Sequence, residues 1–166
     1  MARFTATVDV AAPARQAWAA LVDWPAHGRW VPFTRVRVLT DSGAGVGARF
    51  CGRTGIGPVA FDDPMEVTRW EPPHGAAAGH CRVVKQGRLV RGSAWFDVVP
   101  LGPQRCRVDW TEDVEVAPAV LTRPLRRLVE PAGRRAFAAT LRRMAAEVEG
   151  GRDGVPPGPD DEDGDG

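Results

Sequence analysis

A carboxylate set among tryptophan and valine at every second position is where this chain could do chemistry. In RCRVDWTEDVEV, residues 105–116, alternation puts Cys106, Val108, Trp110, Glu112 and Val114 on one face and Arg107, Asp109, Thr111 and Asp113 on the other. Among such neighbours desolvation raises a carboxyl pKa unless a cation pairs with it. That suits Glu112 to act as a general base or as a polar anchor for a ligand. A carboxylate that emerges into water near the strand end, or pairs structurally with an arginine, is the competing reading. Arg53, His80, Lys85 and Arg91 can supply charge nearby, although alternation alone leaves their faces open.

Other chemistries find little support. His27, His74 and His80 are the only histidines and lack the spacing of helical metal ligands, so no metal is expected. Ser42 and Ser93 are the only serines, without a nucleophile elbow. Cys51, Cys81 and Cys106 form no CxxC pair and suit small buried thiols of a reducing compartment. GAGVGA, residues 43–48, formally satisfies a dinucleotide fingerprint, but RFCGRTGIG follows it and reads as strand and turn rather than helix. The glycines are expected to make a tight turn, and no cofactor is expected.

Elements must position these groups. RFTATVDV alternates as a half-buried strand, and APARQAWAALVDW then switches to helical period with a stripe of Ala17, Trp18, Leu21 and Val22. LVDWPAHGRWVPF is too broken for a long helix and too aromatic for an ordinary loop, so its rings need cover. Six further strand candidates follow: RVRVLTD, VGARFCGR, GPVAFDDPMEVTRW, GHCRVVKQ, LVRGSAWFDVVP and RCRVDWTEDVEV. Adjacent short strands without helices between them predict an antiparallel meander. Pro131 is expected to start the final helix, which runs to about residue 149 with Phe137, Leu141, Met144 and Val148 on one apolar face.

The composition, 166 residues with 43% hydrophobic and 26% charged, suits one domain with a substantial core. GGRDGVPPGPDDEDGDG, residues 150–166, sets one Arg against six Asp/Glu; its net −5 leaves the body at +6 within an overall +1. This tail is expected to be disordered. Seven arginines between 123 and 143 lack interleaved aromatic residues, so they read as a solvated helix face and not as a nucleic-acid site. Neither an N-terminal apolar signal nor an 18-residue apolar run is present, from which a cytoplasmic location without a membrane span is expected.

The order strand, two short helices, six strands and a long helix resembles the START-like superfamily, the SRPBCC proteins that include polyketide cyclases and dehydrases and lipid-transfer domains. The segments that carry the likeness are VDVAAPARQAWAALVDW, GVGARF, MEVTRWEPP, GSAWFDVVP and RVDWTEDVEV, spread over residues 3–149. The resemblance implies an α+β helix-grip fold, in which a seven-stranded curved antiparallel sheet wraps the C-terminal helix around an apolar cavity. Trp30 and Phe33 would then lie at the cavity rim. Phe50, Met65, Val67, Phe96, Val98, Val108, Trp110 and Glu112 would face it from the sheet, Phe137 and Leu141 from the helix, and Arg91 would stand at its mouth. The implied role is binding of an apolar or aromatic small molecule, lipid- or polyketide-like. A cofactor-independent cyclase or dehydrase using pocket acid/base groups is the alternative, and a protein-interaction module a further one.

Overall fold

A computed structural model describes residues 2–116 and 126–151. Strand β1, Ala2–Val10, leads into helix α1, Ala14–Val22, a 3-10 turn at Trp24–Ala26, and the one-turn helix α2, His27–Trp30. Strands β2 (Thr34–Val38), β3 (Arg49–Thr54), β4 (Phe61–Glu71), β5 (Gly79–Gln86), β6 (Val90–Gly102) and β7 (Arg105–Val116) follow, and helix α3 spans Arg126–Gly150. All neighbours pair antiparallel in the order β1-β7-β6-β5-β4-β3-β2. The sheet is thus the expected seven-stranded meander, curved around the C-terminal helix in a helix-grip fold.

Alternation decides what the concave face carries. Successive rows cross the sheet in register: Val114, Gly92, Lys85, Met65 and Phe50 form one, and Glu112, Ala94, Val83 and Val67 the next. Deeper rows hold Trp110, Phe96, Cys81 and Trp70, then Val108, Val98 and Gly79. Helix α1 covers these deep rows by driving Trp18 edge-on against Trp70 and Phe96, at centroid distances of 5.4 and 5.5 Å. Burying each such aromatic or branched side chain contributes about 1.5–3 kcal/mol.

Helix α3 packs chiefly on β1, with Leu141 and Met144 buried and Phe137 and Val148 half-buried. Its start differs from expectation. The helix begins at Arg126 and runs through Pro131, whose ring removes the amide that would bond the Arg127 carbonyl. The acidic tail beyond 151, and Pro124, lie outside the described residues. No helix among the described residues is long and apolar enough to cross a membrane.

Candidate functional site: an aromatic cavity with a buried charge cluster

Between α2, α3 and the strands β2 to β7 lies a cavity of about 340 Å³. Its wall is mostly aromatic and aliphatic: Trp24, Trp30, Phe50, Phe96, Trp110 and Phe137 supply the rings. Local sequence explains why they stand there. Pro25 and Gly28 break the chain between α1 and β2 into two short turns, so Trp24 and Trp30 both reach inward and are buried. Trp24 stacks on Phe50 with centroids 4.1 Å apart and donates from Nε1 to the Gly43 carbonyl, 2.7 Å away. The glycine-rich loop 43–48 therefore connects β2 to β3 as a turn and receives an indole. A Cβ at Gly43 would stand 3.3 Å from that ring.

Three ionisable groups converge inside the sheet. Lys85 Nζ donates to Asp63 Oδ2 at 2.8 Å and faces Glu112 Oε2 at 3.6 Å, with the Met65 sulfur at 3.7 Å. Trp110 Nε1 donates to Glu112 Oε1 at 3.0 Å. Glu112 is 3% exposed and Asp63 8%, and Asp63 Oδ1 is buried without a hydrogen-bond partner. Burial raises the Glu112 carboxyl above its ordinary range, against the pull of Lys85. Burial opposes the Lys85 ammonium, yet the adjoining carboxylates of Glu112 and Asp63 outweigh it and hold the pKa above the usual lysine value. The lysine is accordingly an ammonium and not a free amine nucleophile.

Gly92 and Ala94 make that cluster possible. They lie on β6 between Lys85 on β5 and Glu112 on β7, and larger side chains there would stand between the charges. Gly92 has φ +133°, and a Cβ would come within 2.2 Å of the Asp113 carbonyl oxygen.

His27 forms part of the wall. Its Nε2 bonds the Leu21 carbonyl at 2.7 Å, which makes Nε2 the protonated nitrogen and leaves Nδ1 an acceptor. Burial pushes its pKa down to about 4, so the ring is neutral near pH 7. At the back of α2, Glu147 of α3 accepts from Trp30 Nε1 at 2.7 Å and from Arg29 Nη2 at 2.5 Å, while Arg143 donates to the Trp30 carbonyl at 3.0 Å. This polar clasp ties the aromatic wall to the C-terminal helix.

Of the residues proposed from sequence, Trp30, Phe50, Met65, Phe96, Trp110, Glu112, Phe137 and Leu141 come together around the cavity. Five do not line it. Val67, Val98 and Val108 face inward but are fully buried in the packed core, Val98 and Val108 in the deepest row. Phe33 takes φ +56° at the exit from α2 and turns outward, 70% exposed. Arg91 lies on the outer face, where its Nε donates to the Gly87 carbonyl. His80 is also on that face, bonded to Asp97, and Arg53 pairs with Asp62.

Sequence reasoning left Lys85 unassigned and passed over Asp63 and His27. Asp63 shares the alternation of Met65 and Val67, and Lys85 that of Cys81 and Val83, so the signal was period two extended by one step. Cys51, Cys81 and Cys106 are buried free thiols, and burial raises Cys81 to about 12 and Cys106 to about 11. They are poor nucleophiles. Among the described residues no cluster of His, Cys, Asp and Glu could hold a metal ion.

Solved structures share this architecture. A protein of Thermus thermophilus superposes with TM-score 0.72 at 16% identity, over 90% of this chain and 98% of its own. The Zhui aromatase/cyclase of Streptomyces sp. R1128 gives TM-score 0.67 at 20% identity, over 89% and 93%. A START superfamily protein of Mycobacterium smegmatis gives 0.63 at 22%, over 92% and 98%. These likenesses concern the fold. No curated protein matches by sequence. The family model described as "Polyketide cyclase / dehydrase and lipid transport" matches residues 1–149, almost the whole chain up to the acidic tail. The chain belongs to that family.

Proposed function

We propose that this protein binds an apolar or aromatic small molecule in the cavity between sheet and α3. The observation that carries this reading is the cavity itself. At about 340 Å³ it lies at the small end of the roughly 300–1,000 Å³ range of small-molecule sites, and it has an aromatic wall with a few convergent polar groups. A compact ring system suits that volume better than a long acyl chain. Family membership supports a hydrophobic-ligand or cyclase-type role without naming the ligand.

The charge cluster favours a second reading, a cofactor-independent cyclase or dehydrase. Glu112, held by desolvation above the usual carboxyl range, would take a proton from a ligand carbon or hydroxyl, and Lys85 would stabilise the charge that develops. Native mass spectrometry of the purified protein, with organic extraction of any adduct, tests the first reading. A stoichiometric adduct, or one formed on incubation with polycyclic aromatics, supports it. A mass without adduct across aromatic and lipid probes refutes it. Turnover of an aromatic polyketide that Glu112→Gln abolishes while binding persists would establish the second.

A further inference from the structure

The polar valences of the cavity wall divide unevenly. Every side-chain N–H or O–H donor on it, among the described residues and apart from the outward-turned Trp95 indole, is already committed. Trp24 donates to the Gly43 carbonyl, Trp30 to Glu147 and Trp110 to Glu112. Thr34 donates to the Pro32 carbonyl, which leaves Thr54 as donor to Thr34, and Thr140 bonds the Ala136 carbonyl. His27 spends its one N–H on Leu21, and Trp95 turns its ring to the outer face between Arg3 and Arg82. Lys85 directs its ammonium at Asp63, Glu112 and the Met65 sulfur.

What remains unspent accepts. His27 Nδ1 has no hydrogen-bond partner among the described residues. The Glu112 oxygens each have a single neighbour, and Asp63 Oδ1 has none. The charge points the same way, because one buried ammonium faces two buried carboxylates. With both carboxylates ionised the cluster is net negative, and with one protonated it is neutral. In neither state does the wall, among the described residues, offer an unpaired cation. Arg29 of α2 and Arg143 of α3 are spent on Glu147 and the Trp30 carbonyl.

We infer that the ligand of this cavity is a hydrogen-bond donor, neutral or cationic at its polar end, such as a phenol or an amine on an aromatic body, and that carboxylates are excluded. The inference rests on the cavity reading above and narrows it. A fatty-acid or other carboxylate headgroup would lose its water, meet no free donor, and face Glu112 and Asp63. A phenol or ammonium would find acceptors, and the aromatic wall suits a cationic headgroup as well.

Isothermal titration of the full chain at pH 7 with four probes of one ring system tests this: naphthol, naphthylmethylamine, methylnaphthalene and naphthoate. The donors are expected to bind at least about tenfold more tightly than naphthoate, a difference of about 1.4 kcal/mol, with methylnaphthalene between them. Glu112→Gln, which replaces an acceptor oxygen by a donor amide and removes a charge, is expected to narrow that ratio, its fold checked by near-UV circular dichroism. Naphthoate binding as tightly as methylnaphthalene or more so overturns the inference while leaving the cavity reading intact. Failure of all four probes to bind refutes both.

Discussion

Replacing Lys85 by methionine removes the one cation of the buried cluster and keeps most of the side-chain volume. The ammonium lies 2.8 Å from Asp63 Oδ2 and 3.6 Å from Glu112 Oε2. At an effective dielectric constant of about 20 these attractions are roughly 6 and roughly 5 kcal/mol. Desolvation of three ions and the mutual repulsion of the carboxylates offset most of that sum. Stripping one partner from a buried ion pair costs about 3–5 kcal/mol net. With a urea m-value of about 1.5 kcal/mol per molar, the unfolding midpoint should fall by about 2 M or more. The pH dependence carries the sharper test. Without Lys85 the buried Glu112 carboxyl loses the cation that pulls its pKa down, so its native pKa, already raised by burial, rises further above the unfolded one. Between the unfolded carboxyl value near about 4 and the raised native one of Glu112, the native state binds more protons, and stability falls as pH rises. Urea unfolding followed by tryptophan fluorescence at pH 5 and pH 8 should therefore show the variant closer to wild type at pH 5. A variant within about 1 kcal/mol of wild type at both values would refute the buried-cluster account.

Four further outcomes follow from the geometry. Because Lys85 is the sole lysine and is buried, amine acylation of the native protein should label only the N-terminus, and peptide mass mapping would reveal any modification at 85. His27, depressed to about 4, keeps fewer protons folded than unfolded between that value and 6.5. Its contribution is present above 6.5 and is lost as pH falls through the interval, by about 3 kcal/mol, measurable as a pH slope in unfolding that His27→Asn flattens. Gly92→Ala should cost more than about 3 kcal/mol in thermal unfolding, since its Cβ collides with backbone at a φ disfavoured for alanine. Glu147 has its carboxyl lowered by the hydrogen bond from Arg29, aided by Trp30, so its stabilisation is present above the ordinary carboxyl range and fades as pH falls below it. The site is partly exposed, and Glu147→Gln should cost only about 1 kcal/mol, less at high salt.

Period two made the sheet legible. It placed Phe50, Met65, Phe96 and Trp110 on the concave face, because each sits in a run where polar and apolar residues alternate cleanly. It identified Glu112 as the odd carboxylate in such a run. It faltered at GHCRVVKQ, where Val83 and Val84 are both apolar and the hydrophobic pattern no longer says which way Lys85 points. What no pattern discloses is how far cover extends: Val67, Val98 and Val108 share the inner face with cavity residues, and only the path of α1 and the curvature of the sheet separate packed core from open space. Phe33 escapes for a different reason, since a left-handed backbone at a non-glycine residue reverses its direction. The clasp through Glu147 joins positions 117 residues apart on the polar side of a helix whose apolar stripe draws attention away from it.

Gly52 differs from Gly92 in a way that bears on how ligand preference could evolve. It lies on the cavity wall in β3, has an ordinary backbone conformation, and a Cβ there would meet only the Met65 methyl at 3.6 Å. The space it leaves is therefore optional. Side chains could be added at that one position, methyl by methyl, shortening the chamber while backbone, charge cluster and clasp stay in place, so that relatives of this chain can diverge in ligand size without renegotiating the fold.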